Sequence, residues 1–157
     1  MGDDQVKRAA QEYLAERLSA DGLTYEQQLN RDAAIAHAPA VWQKLIATVK
    51  AMCDEWNGET KEHTFSCKET ILGDLRVRCA GRPHQLTFHF DSKRRLVRVE
   101  NTAREEHEPK TILSIEGYLS ESGRQARFMR NNETIDLHML LLRQFRILAG
   151  LSHRATD

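Results

Sequence analysis

The spacing of apolar residues changes twice along this chain. It is helical up to Trp56, alternates residue by residue from about His63 to Met129, and becomes helical again through Leu151. Val6, Ala9, Ala10, Tyr13, Leu14 and Leu18 fall at steps of three and four, which predicts a first helix ending near Ala20 with Gly22 as its left-handed cap. Thr24 followed by Gln27 has the form of a capping box for a second helix, with Leu29 and Ile35 as its apolar contacts. Proline lacks the amide a helix interior needs. Pro39 is therefore expected to end that helix and to sit in the first turn of a third. The third helix carries a wide stripe of Val41, Trp42, Leu45, Ile46, Val49, Met52, Cys53 and Trp56, and Asn57-Gly58 is its stop signal.

Between residues 62 and 131 the period is two. Phe65 and Cys67, Leu75, Val77 and Cys79, Leu86, Phe88 and Phe90, Val97 and Val99, Leu113 and Ile115, and Ala126 and Phe128 would all point to one face of a sheet. Gly73-Asp74, Gly81-Arg82-Pro83, Asp91-Ser92-Lys93 and Ser120 to Gly123 punctuate these runs. Connections that short join only antiparallel neighbours, so a six-stranded up-and-down meander is predicted. The charged stretch 101–110 is expected to be a loop. Thr134 is expected to cap a last helix over 134–151, whose leucines occupy more than one stripe. The fold class is therefore α+β: N-terminal helices, a six-stranded antiparallel meander, and a C-terminal helix packed on one sheet face. Residues 1–157 are expected to form a single domain, with a helical segment 1–58, a sheet 62–131 and the helix 134–151. Trp42, Leu45, Val49, Trp56, Val77, Phe88, Phe90, Val99, Ile115 and Leu141 should share one core.

Composition adds charge distribution to this picture. The 157 residues hold 23 basic and 23 acidic groups, so whole-molecule charge favours no class of partner. Along the chain the balance is uneven: residues 1–62 carry 7 basic and 11 acidic groups, 63–104 carry 9 and 4, and 105–157 carry 7 and 8. The positive charge thus sits in the strands. Outward parity puts Arg76, Arg78, Arg98 and Arg127 on one sheet face, a candidate ligand-binding surface, with Lys68 and His89 beside them. Glu100 and Glu116 share that parity, so cross-strand ion pairs account for part of the pattern. Leu96, Ile112, Tyr118 and Met129 are apolar residues of the same parity, and strand order decides whether they touch.

Reactive chemistry is sparsely encoded. Three cysteines, Cys53, Cys67 and Cys79, are too few and too widely spaced for a disulfide framework and are expected as reduced, partly buried thiols. His63 and Cys67 lack the close ligand pairs of a zinc site, so no metal and no cofactor is expected. The chain contains no G-x-S-x-G elbow and no glycine-rich phosphate loop, and no catalytic residue is assigned. The acidic N-terminus Met1-Gly2-Asp3-Asp4 is unlike a secretory leader, and no apolar run approaches roughly 18 residues, which points to a soluble cytoplasmic protein.

Three functions from different classes follow. The first is a non-catalytic interaction module for a protein partner, or for a second copy of itself as a homodimer through Leu140, Ile147 and Leu151 of the last helix. The second is binding of a phosphate-bearing ligand, RNA or a lipid head group, on the basic face. The third is an apolar-ligand pocket lined by Trp42, Trp56, Phe88 and Phe128, against which stands their use as an ordinary packed core.

Overall fold

The computed structural model describes residues 2–20, 24–102 and 110–151. Its elements are α1 (Gly2–Ala20), α2 (Tyr25–Thr60), β1 (Phe65–Glu69), β2 (Leu75–Cys79), β3 (Gln85–Asp91), β4 (Leu96–Asn101), β5 (Thr111–Ser120), β6 (Gly123–Arg130), β7 (Glu133–Thr134) and α3 (Leu137–Leu148). The strand order equals the chain order, β1-β2-β3-β4-β5-β6-β7, and each adjacent pair is antiparallel. The α+β meander expected from the alternation is therefore present, with one strand more than predicted. Thr134 belongs to that short β7. The cap of α3 is instead Asp136, whose carboxylate accepts from the Met139 amide at 3.1 Å.

The second correction is at Pro39. A single 36-residue helix, about 54 Å long at 1.5 Å per residue, runs through it. Ala33, Ala34 and Ala38 before the proline and Trp42, Leu45, Ile46 and Val49 after it are all buried on the same sheet. Pro39 and Ile35 are exposed, so the Ile35 carbonyl deprived of its amide partner lies on the solvent side. Burial on both sides outweighs one lost backbone hydrogen bond. Ile35, predicted as an apolar contact, is 54% exposed, whereas Leu29 is half-buried. The helix also passes the Asn57-Gly58 stop signal and ends at Lys61 in the left-handed region, φ 56°. Its last turn is held from outside: Asn57 Nδ2 donates to the Phe65 carbonyl at 2.9 Å, Asn57 Oδ1 accepts from the Phe65 amide at 2.8 Å, and Trp56 meets Phe65 edge-on at 4.9 Å. The Thr24 capping box forms as predicted.

α2 crosses the inner face of the sheet from β5 and β6 to β1. At its first end the Asn30 backbone lies directly on Gly117 of β5, so close that a Cβ there would collide with the Asn30 carbonyl, and Arg124 of β6 hydrogen-bonds the Asn30 side chain. α3 fills the remaining inner face: Leu141, Phe145 and Leu148 are buried, Phe145 meets Phe65 at 4.9 Å, and buried Gln144 accepts from Asn101 Nδ2 at 3.1 Å. Of the predicted core, Trp42, Leu45, Val49, Val77, Phe88, Val99, Ile115 and Leu141 are buried in one cluster, with Trp56 and Phe90 packed against it. α1 ends at Ala20 as expected, but among its described side chains the apolar ones are exposed, Val6 at 70% and Tyr13 at 65%. The cap proposed at Gly22 and most of the loop 101–110 lie outside the described residues. Among the described residues, no helix is long and apolar enough to cross a membrane.

Candidate binding face

Both packed helices lie on the inner face, and no described element covers the outer one. The alternation that buries Leu75, Val77, Leu86 and Phe88 sends Arg76, Arg78, Thr87 and His89 outward, and the register arranges these into cross-strand rows. One row runs Lys68, Arg76, Thr87, Glu100 from β1 to β4. Thr87 is 7% exposed although it points away from the core, flanked in the register by Arg76 on β2 and Glu100 on β4. The next row begins at His89, opposite Arg98, which is itself opposite Ile112.

The four predicted arginines share the face but do not converge. Arg76 is half-buried, not fully in solvent as expected, and its Nε is buried without a hydrogen-bond partner. Arg78 is exposed and its Nε donates to Gln85 Oε1 at 3.3 Å. Arg98 is exposed two strands away, roughly 10 Å at the usual strand spacing. Arg127, two strands further, stands opposite Glu116 with its guanidinium 4.3 Å over the Tyr118 ring. This is a dispersed positive surface rather than one cation cluster.

Register also reveals what parity alone cannot. Leu96 pairs with Ser114, Ser114 pairs with Met129, and Ile112 lies two residues before Ser114 on the same side. Leu96, Ile112 and Met129 therefore surround Ser114 as an apolar patch, with Arg98 at one side and Arg127 at another. Ile112 is 50% exposed, and Leu96 and Met129 are half-buried. A second unpredicted feature is a chain of ionisable side chains. His89 Nδ1 is 3.0 Å from Asp74 and its Nε2 is 3.6 Å from Glu100, whose other oxygen is 3.4 Å from Lys110. The outward parity of His89 was visible in the sequence, but its two carboxylates come from a turn and a neighbouring strand. Beside it an open concavity of about 580 Å³ is lined by His89, Phe90, Asp91, Ser92, Lys93, Arg98 and Lys110.

On the helical side, Leu140 is half-buried against the core, Ile147 is half-buried, and Leu151 is 44% exposed. Trp42, Phe88 and Phe128 are buried in the core, with Trp42 stacked on Phe90 at 5.3 Å. Trp56, the fourth proposed pocket residue, instead edges an open groove of about 380 Å³ between α2 and α3, shared with Met52, His138 and Leu142. Among the described residues no group of three or more His, Cys, Asp or Glu side chains could hold a metal ion. His63 is exposed ahead of β1.

Comparison with known proteins supplies no relative: no protein family, no curated protein and no solved structure matches this chain.

Proposed function

We propose that the protein is a non-catalytic binding module whose outer sheet face docks an acidic polypeptide. The observation that carries this reading is the apolar patch of Leu96, Ile112 and Met129, set on a helix-free face between Arg98 and Arg127. Desolvated apolar contact at the centre with charge at the rim is the usual anatomy of a protein interface. The test is affinity enrichment from a nuclease-treated extract using immobilised protein. Wild type should retain polypeptide that the double variant Ile112→Glu, Arg98→Glu loses, while Met139→Glu on exposed α3 surface should retain it. Equal retention by the first variant and wild type would remove the reading.

A second reading rests on a different observation, the concavity lined by Lys93, Arg98 and Lys110, with Asp91 as the carboxylate of its lining and Glu100 paired to Lys110 beside it. Such a basin suits a phosphate group. Single-stranded RNA, or vesicles with anionic head groups, would then bind with an affinity that falls steeply with salt. Flat binding isotherms for both probes at low salt would eliminate it.

A further inference from the structure

Side-chain contacts tie α2 to the edge strand β1 in an antiparallel register. Asn57 exchanges two hydrogen bonds with the Phe65 backbone, and two turns earlier Lys50 Nζ pairs with Glu69 at 3.9 Å. Between these two ties stand Cys53 and Cys67. Cys53 is one turn before Asn57, about 6 Å along the helix, and Cys67 is two residues after Phe65, about 6.8 Å along the strand. The matched steps place the two cysteines opposite one another across the helix–sheet interface, Cys53 within the core cluster and Cys67 packed against it, near enough for each to influence the other's ionisation.

The two thiols differ in character. Cys53 is buried, and the hydrogen bond to Cys67, desolvation and the neighbouring negative charges raise its pKa, so it keeps its proton. Cys67 is half-buried, and its pKa is lowered chiefly by the Cys53 hydrogen bond and also by the Lys50 ammonium, against desolvation and the carboxylates of Glu69 and Asp54. Cys79, the third thiol, lies elsewhere on β2, and its pKa is raised by burial.

We infer that Cys53 and Cys67 are a redox-active pair, a modification site at which a peroxide oxidises Cys67 and Cys53 resolves the product into a disulfide linking α2 to β1. In the first step the Cys67 thiolate attacks one oxygen of the peroxide. The O–O bond breaks, the attacked oxygen stays on sulfur with its hydrogen as a sulfenic acid, and the other oxygen leaves as alkoxide or hydroxide, which takes a proton from solvent to become an alcohol or water. Oxidation of Cys67 removes the thiolate's part in holding the Cys53 proton, while burial and Asp54 still favour the thiol. Cys53 attacks the Cys67 sulfur, the S–O bond breaks, and the departing hydroxide takes the Cys53 proton to form water. The flanking ties at Asn57 and Lys50 hold the two elements in register while the sulfurs close to bonding distance.

Hydrogen peroxide is the probe. After exposure near pH 7, alkylation and digestion without reductant should recover a Cys53–Cys67 linked peptide with Cys79 alkylated as a free thiol. In the Cys53→Ser variant, Cys67 should accumulate as sulfenic acid that a 1,3-dione reagent traps. Before oxidation, iodoacetamide should modify Cys67 on the order of ten-fold faster than Cys79 at pH 7, with a rate midpoint below that of an ordinary thiol. Three unlinked, equally alkylated cysteines after peroxide would overturn the inference, as would linkage only between molecules or to Cys79. Should Cys53→Ser fail to fold, the wild-type peptide map and alkylation rates decide alone.

Discussion

Phe88 and Gly117 show what a sequence exposes at the scale of one residue. Phe88 lies in an alternating run and is fully buried, as parity predicts, so Phe88→Ala should cost about 3 to 5 kcal/mol in denaturant unfolding. Unchanged stability would mean that the ring does not lie in the core. Gly117 carries no such signal, because its role depends on Asn30, which reaches it only after α2 has crossed the sheet. Gly117→Ala should destabilise by roughly 1 to 3 kcal/mol, since the obstructing atoms belong to helix backbone and cannot swing aside. Arg98→Ser on the exposed face should change stability by no more than about 1 kcal/mol, because an exposed charge contributes little to folding. A larger loss would show that this part of the face is covered. Arg76 also has the outward parity, but its half-burial depends on the register that brings it beside Thr87.

Among the elements, the strands, the end of α1 and the cap of α2 were legible, whereas the expected break at Pro39, the stop at Asn57-Gly58 and the cap of α3 were not. Alternation reports the two faces of a strand directly, and the turn residues bounded the first six strands. At Pro39 a strong local preference for a break is overridden by contacts from Ala33 to Val49 that local sequence does not display. Removing the proline should therefore relieve a cost: Pro39→Ala is expected to raise stability by about 1 to 3 kcal/mol, read from the shift in denaturant midpoint. A loss would show that the helix needs the proline geometry to fit the sheet. α1 had a plausible apolar stripe but meets α2 only at its margin, so deletion of residues 1–20 should leave the unfolding midpoint nearly unchanged. Deletion through residue 37 should lower it markedly, because the Asn30 contacts and buried Ala33 and Ala34 go with it.

For the whole molecule, the broad apolar surface of α3 prompted the idea of a second subunit, but α2 lies beside α3 and supplies much of that cover within the chain. Light scattering should accordingly give a mass near 18.1 kDa at high concentration, and a doubled mass would return Leu140, Ile147 and Leu151 to consideration as a contact. The candidate face was half legible: parity found its arginines, whereas the patch around Ser114 and the charges around His89 required cross-strand register. The central claim is that this outer face, and not the helical side, makes the functional contact. Hydroxyl-radical footprinting of the enriched complex against the free protein tests it most directly. Ile112, Tyr118 and Met129 should be protected in the complex, while Met139 and Leu151 react as they do in free protein. Protection of Met139 and Leu151 with an unchanged outer face would contradict the account.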